Sequence, residues 1–150
     1  FEILAPVSGE LVHLENTNDP AFSSRAVGDG VAVVPQEGTV CAPASGTVAA
    51  LFPTEHALGI MSDDSSAQVM LHIGIDTVKL EGKGFHALVA QGDHVDAGQP
   101  LVEVDFDVVR AAGFDPTVFV IVCERSENST LREHAFGPVA VKEPVIWLSE

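Results

Sequence analysis

Residues 67–75 read AQVMLHIGI. Side chains of an extended chain point alternately to opposite faces. Val69, Leu71, Ile73 and Ile75 therefore share one face, and Met70, His72, Gly74 and Asp76 share the other. The first face is wholly apolar and belongs in a core. The second carries one imidazole beside a residue with no side chain, which lets another backbone, a ligand or a partner approach the ring.

The rest of the chain has the same character. GVAVVP (30–35), GTVAALFP (46–53), PLVEVD (100–105), TVFVIV (117–122) and PVIWL (144–148) are short and rich in β-branched residues. Turn signals separate them at 28–30, 36–38, 63–66, 81–84 and 91–93. This spacing predicts an all-β antiparallel sandwich or barrel-like fold rather than βαβ units. Three short helical turns are expected. One opens at Asp19-Pro20 and stops by Gly28; one is capped by Asp105 or Asp107 and ends at Gly113; one runs from Thr130 with Glu133 in capping-box spacing to Gly137-Pro138. There is also an internal echo. APVSGELV (5–12) returns as APASGTVA (42–49), and VDAGQPLVEV around Pro100 returns as VAVKEPVIWL around Pro144. A barrel built from related halves follows.

With 150 residues and 46% hydrophobic composition, the chain is expected to form a single cored domain over 1–150. It starts at Phe1 without a methionine, as a domain cut from a longer polypeptide would. No apolar run reaches the roughly 18 residues of a membrane span, so direct membrane insertion is not expected. Twenty-two acids against seven Lys and Arg give a formal charge of −15. Such a surface repels nucleic-acid phosphates and anionic lipid; it would speed encounter with a basic protein partner, and it equally serves simply to keep a protein in solution. Cys41 and Cys123 lie in apolar strand-like runs without a CxxC pattern and read as buried free thiols.

Of six histidines, four have structural explanations: His13 on a strand surface, His86 and His94 beside turns, His134 in the last turn of the third helix. His72 and His56 differ. His56 lies in PTEHALGI with Thr54 two residues before it, so a hydroxyl can bond one ring nitrogen and leave the other free. Two imidazoles and Asp76 leave four readings open: a zinc site, a general acid–base pair, a phosphohistidine site, or polar groups of a core. No HExxH, GxSxG, P-loop or GxGxxG motif decides among them.

The segment LHIGIDTVKLEGKGF (71–85) resembles the active-site signature of the glucose-type IIA domains of the bacterial sugar phosphotransferase system. So do EILAPVSGELV, VGDGVAV, APASGTVAALFPTEHALGI, GDHVDAGQPLVEVD and PVIWL, in order along the chain. Agreement is weakest at 110–140. The resemblance implies a β-sandwich of the duplicated hybrid motif type and a cytoplasmic phosphocarrier, tethered to the membrane where a permease is fused or bound. His72 would be phosphorylated, His56 would stabilise the phosphoryl group, Thr54 would hold His56, and Asp76 would lie nearby once the chain bends at Gly74. The donor would be the phosphocarrier HPr and the acceptor a cysteine of a IIB domain beside its IIC sugar permease. Phe22, Val27, Phe52, Leu58 and Met70 are candidates for an apolar docking patch. Relatives of this kind can bind and inhibit permeases and kinases when unphosphorylated, and can hold zinc on the two histidines with a partner's acid. That makes His56 and His72 weak zinc ligands, with no cofactor required.

Two rivals come from other classes. GDHVDAGQPLVEV also resembles lipoyl and biotinyl carrier domains, with Lys83 in a glycine-flanked turn. A zinc hydrolase could use His56, His72 and Asp76 as its ligands.

Overall fold

The computed structural model describes residues 1–36 and 38–149. Its strands are β1 (Glu2–Leu4), β2 (Gly9–His13), β3 (Asp29–Pro35), β4 (Thr39–Cys41), β5 (Gly46–Leu51), β6 (Ala57–Ser62) and β7 (Ala67–Ile73). They continue with β8 (Phe85–Ala87), β9 (His94–Val95), β10 (Pro100–Val104), β11 (Val118–Arg125), β12 (Thr130–Glu133), β13 (Gly137–Val139) and β14 (Pro144–Ser149). Two short helices, α1 (Pro20–Ser23) and α2 (Phe106–Ala111), interrupt them. Every strand pairing among the described residues is antiparallel, as the turn-punctuated sequence predicts.

An eight-stranded sheet in the order β13-β2-β3-β11-β7-β6-β5-β9 is joined by two three-stranded sheets, β1-β14-β12 and β4-β10-β8. Reading the large sheet outward from its β11–β7 seam gives β3 and β6, then β2 and β5, then β13 and β9. The echo in the sequence is thus a duplication in space. Ala5 donates to the Glu143 carbonyl and accepts from Lys142 N–H, at 2.7 and 2.9 Å. Ala42 does the same with Gln99 and Gly98, at 2.8 Å each. The halves also clasp one another reciprocally: Leu4 N–H donates to Pro43 O, and Cys41 N–H to Pro6 O. The register slip at Leu4↔Pro144 repeats at Cys41↔Pro100.

Alternation sorts the faces of the large sheet. Val69, Leu71 and Ile73 of β7, Val118, Val120 and Val122 of β11, and Leu58 and Ile60 of β6 enter the main core with residues of the small sheets. The opposite face holds a second cluster, Phe119, Ile121, Ala32, Leu14 and Phe22, against which Met70 packs. Residues 14–28, between β2 and β3, fold over this face. The corresponding link between β5 and β6 is only 52–56, and leaves its side of the face open.

Two helices match expectation. Asp19 Oδ1 accepts from Ala21 N–H at 3.0 Å at the start of α1, and Asp105 Oδ1 accepts from Asp107 N–H at the start of α2. The expected third helix does not form. Thr130–Glu133 is β12, paired with β14 along Thr130↔Ser149 to Glu133↔Ile146. His134 therefore follows a strand, its ring 6.1 Å from that of Trp147. A capping-box spacing is a local preference, and a neighbouring strand with open hydrogen-bonding groups outweighs it. The turn expected at 28–30 is shorter, since Asp29 and Gly30 already belong to β3. The turn at 36–38 includes Glu37, outside the described residues.

The duplicated glycines make the first prediction. A Cβ on Gly9 would stand 2.0 Å from the Val34 carbonyl oxygen, and one on Gly46 2.0 Å from that of Met61. Backbone atoms cannot yield there, so Gly46→Ala is expected to cost about 2–4 kcal/mol in denaturant unfolding. Gly59→Ala, whose nearest new neighbour is the mobile end of Gln68 at 3.4 Å, should cost within about 1 kcal/mol.

Candidate active site

The β6–β7 pairing builds the site. Ala57 lies opposite His72, and Ile73 N–H donates to the His56 carbonyl at 2.7 Å, which sets the two histidines side by side at the uncovered end of the face. Their ring centroids are 5.1 Å apart and their planes stand at 84°.

Each ring is held through its Nδ1. His72 Nδ1 lies 2.8 Å from the Gly74 carbonyl oxygen. A carbonyl can only accept, so Nδ1 carries the hydrogen and Nε2 of the neutral ring keeps its lone pair free. His56 Nδ1 lies 2.6 Å from Thr54 Oγ1, so the threonine hydroxyl orients this ring. His56 is only 3% exposed. Burial, and next the nearby His72, push its pKa down to about 4. His72 is half-buried, and burial lowers its pKa as well. The Gly74 carbonyl, Asp19 and Asp76 pull it the other way. Both imidazoles are uncharged at neutral pH, the state in which a ring nitrogen is a nucleophile.

Gly74 both turns the chain and holds the His72 ring through its carbonyl. At φ +80° it turns the chain out of β7, and its N–H and that of Ile75 bond to the Thr117 and Asp115 carbonyls. A Cβ there would meet Thr77 Cγ2 at 2.4 Å and Asp115 O at 3.0 Å, so only glycine fits the approach. The bend continues through Asp76, itself left-handed at φ 61°, into a 3₁₀ turn at Thr77–Leu80. This is how an acid four residues along comes near enough to act on His72.

The apolar candidates divide. The Phe22 ring lies 5.2 Å from that of His72 and stacks on Phe119 at 4.4 Å, but it is buried there and so offers support to the ring rather than surface to a partner. Phe52 meets His56 edge-on at 5.5 Å and is 47% exposed. Met70 packs on the outer cluster, and Val27 is exposed. Leu58 does not belong with them. It is 1% exposed and sits in the main core opposite Leu71, because it is one residue out of phase with Ala57 and Gly59 on the outer face. Asp19 belongs to the surroundings of His72 through its charge, although sequence marks it only as a helix cap. Phe119 was also unmarked; its register opposite His72 places it there.

Lys83 is exposed in its turn. The other histidines lie outside the pair: His94 Nε2 contacts Asp63 at 2.9 Å, and His13 stacks on Phe136. Among the described residues no group of three or more His, Cys, Asp and Glu is gathered to hold a metal ion, so the zinc-hydrolase set of His56, His72 and Asp76 is not assembled. Among them, too, no helix is long and apolar enough to cross a membrane.

Comparison with known proteins agrees over nearly the whole chain. The family model for the phosphoenolpyruvate-dependent sugar phosphotransferase system, EIIA 1, matches residues 1–128. The chain is 42% identical over 147 residues to the PTS system beta-glucoside-specific EIIBCA component of Bacillus subtilis, covering 98% of this chain and 24% of that one. It is 36% identical over 140 residues to the PTS system glucose-specific EIIA component of Bacillus cereus, covering 93% of this chain and 84% of the relative. The solved glucose permease IIA from Mycoplasma capricolum superimposes with a TM-score of 0.89 at 35% identity, over 97% of this chain and 94% of that one. The chain thus spans about a quarter or less of the fused curated relatives it matches.

The depressed His56 makes stability depend on pH. In the unfolded chain His56 takes its proton near pH 6.5, about the unperturbed value; folded, it does so only at about 4. Between these values the unfolded chain binds the extra proton, so this contribution is complete above the window and is lost as pH falls through it. Denaturant midpoints of the native protein should fall more steeply from pH 7 to 4 than those of His56→Gln. Parallel curves would contradict a buried neutral ring.

Proposed function

Given that this chain belongs to the EIIA 1 family of the phosphoenolpyruvate-dependent sugar phosphotransferase system, we propose that residues 1–150 form one domain that carries a phosphoryl group on His72. Its donor is phosphorylated HPr, and its acceptor is a cysteine of a IIB domain working with a IIC permease. Curated relatives in which EIIA shares a chain with EIIB and EIIC support the acceptor. The single observation that carries the reading is the contact of His72 Nδ1 with the Gly74 carbonyl, from which the tautomer of the ring follows. Its Nδ1 is committed to the Gly74 carbonyl, so its Nε2 is left as the nucleophile.

The step needs little covalent chemistry from the protein. The lone pair of His72 Nε2 attacks phosphorus in line, and the bond from phosphorus to the donor's histidine nitrogen breaks, its electron pair returning to that ring. The His72 ring, keeping its Nδ1 hydrogen, becomes cationic, and the Gly74 carbonyl bonds that hydrogen more strongly as the charge develops. With the Thr54 hydroxyl donating to His56 Nδ1, His56 Nε2 carries a hydrogen and donates it to a phosphoryl oxygen. A ring with a pKa of about 4 does this without taking up the proton that would make it a competing cation beside His72. Asp76 and Asp19 favour the cationic His72 ring and repel the phosphoryl oxygens, which keeps the group easy to pass on. Phe52 supplies exposed apolar ground on which donor and acceptor both dock, with buried Phe22 packed beside His72 beneath it, and Asp19 and Asp76 supply the acidic rim.

For zinc the chain offers His56 and His72, short of the three or four ligands a protein site uses. A metal would therefore bind weakly unless a partner brought an acid, and would tie up both rings. Addition of the phosphoryl charge to an apolar docking face would likewise release any permease or kinase bound by the unphosphorylated form.

Label supplied from phosphoenolpyruvate through enzyme I and HPr should appear on the native chain as acid-labile, base-stable phosphate. His72→Ala should take none. His56→Gln should accept label but pass it to a IIB domain at least roughly a hundredfold more slowly, the loss expected for one stabilising donor. An unlabelled native chain would end the carrier reading.

A further inference from the structure

The segment that brings Phe22 to His72 is itself secured from behind. Residues 14–28 make only a 3₁₀ turn at Leu14–Asn16 and the short α1 of their own, and the polar contacts of two side chains, Asn18 and Arg25, tie them down. Near the start, Asn18 Nδ2 donates to Asp115 Oδ2 at 3.0 Å. Near the end stands Arg25, whose N–H donates to the Phe22 carbonyl at 3.0 Å. Arg25 is left-handed, at φ 62°, a conformation that a side-chain-bearing residue holds only when its surroundings require it. Those surroundings are three carboxylates from three parts of the chain. The guanidinium donates to Glu15 at 3.0 Å, in the turn after β2, and to Asp29 at the start of β3; Glu133 of β12 lies 3.9 Å away. Burial raises the carboxyl pKa of Glu133 and Arg25 opposes that, so the cation also makes the half-buried acid tolerable there.

We infer that Arg25 is a positioning residue for the proposed phosphoryl transfer: by joining Glu15, Asp29 and Glu133 it fixes the 14–28 segment so that Phe22 holds the His72 ring with Nε2 facing the donor. The inference rests on the phosphoryl-carrier reading. An exposed ion pair alone would contribute little, but a planar fork bound to several carboxylates sets direction as well as distance. Arg25 makes no hydrogen bond or ion pair with His56 or His72, so its effect passes through Phe22.

Single-turnover transfer from phosphorylated HPr tests this on the native chain, Arg25→Met and Arg25→Lys, at a temperature where each is fully folded. With Arg25→Met the maximal rate should fall roughly tenfold or more, while the donor concentration giving half that rate changes little. The nuclear Overhauser contact between the Phe22 and His72 rings should weaken in parallel. Arg25→Lys should recover part of both, since an ammonium lacks the fork. A folded Arg25→Met with native maximal rate and native ring contact would overturn the inference, because a merely stabilising residue changes neither in the folded fraction. Should Arg25→Met not fold, Glu15→Gln, which leaves the Asp29 pair intact, takes its place: a lower maximal rate supports the inference and an unchanged one overturns it. A native chain that accepts no phosphate refutes the carrier reading, and the ring contact still decides whether Arg25 places Phe22.

Discussion

The pairing of β7 with β11 is the constraint on which everything else hangs. These central strands must bury one face in aliphatic side chains, which fixes their register to the residue, since a slip of one would exchange core for surface. The same register puts His72 opposite Phe119 and Met70 opposite Ile121. Around this seam the two halves repeat their backbone contacts, down to the alanine that both donates to and accepts from the loop before the last strand of each half. Duplication satisfies the hydrogen bonds of both halves with a single solution.

The histidine pair lies where the duplication is broken. Between β2 and β3, residues 14–28 roof the outer face with Leu14 and Phe22. Between β5 and β6 the link is cut to 52–56, and those few residues deliver Phe52, Thr54 and His56 instead. One half thus seals its own outer face and lends Phe22 to the other, which stays open. A neutral imidazole pair suits such a place. It is apolar enough to be largely buried without charge, and each neutral ring keeps one lone pair and one ring hydrogen.

How much of this could be read from the chain depended on the range of the cause. Alternation in 67–75 identified β7 and its core face because the period is local and the pattern long. The Ala5 and Ala42 echoes announced the duplication in plain letters. Resemblance supplied the significance of His72 and His56, which periodicity alone could not separate from a satisfied core. Leu58 was misplaced because its face depends on the phase of β6 against β7, a non-local fact. Thr130–Glu133 carried a helix-start spacing, but β14 offered it a ladder. Nothing in the sequence marks Asp19 or Phe119 as a neighbour of His72, for a related reason: only folding brings a helix cap and the adjacent strand beside the ring.

The large sheet ends in two very short strands, His94–Val95 at one side and Gly137–Val139 at the other, the latter carrying Pro138. A border of two or three residues, one lacking an N–H, gives a second molecule almost nothing to zip onto, and the −15 surface adds repulsion at longer range. A strand-rich domain with long open edges runs a standing risk of edge-to-edge aggregation. Here the outermost strands of the large sheet carry the protection against it, so the face that holds the histidine pair can stay open without inviting self-association.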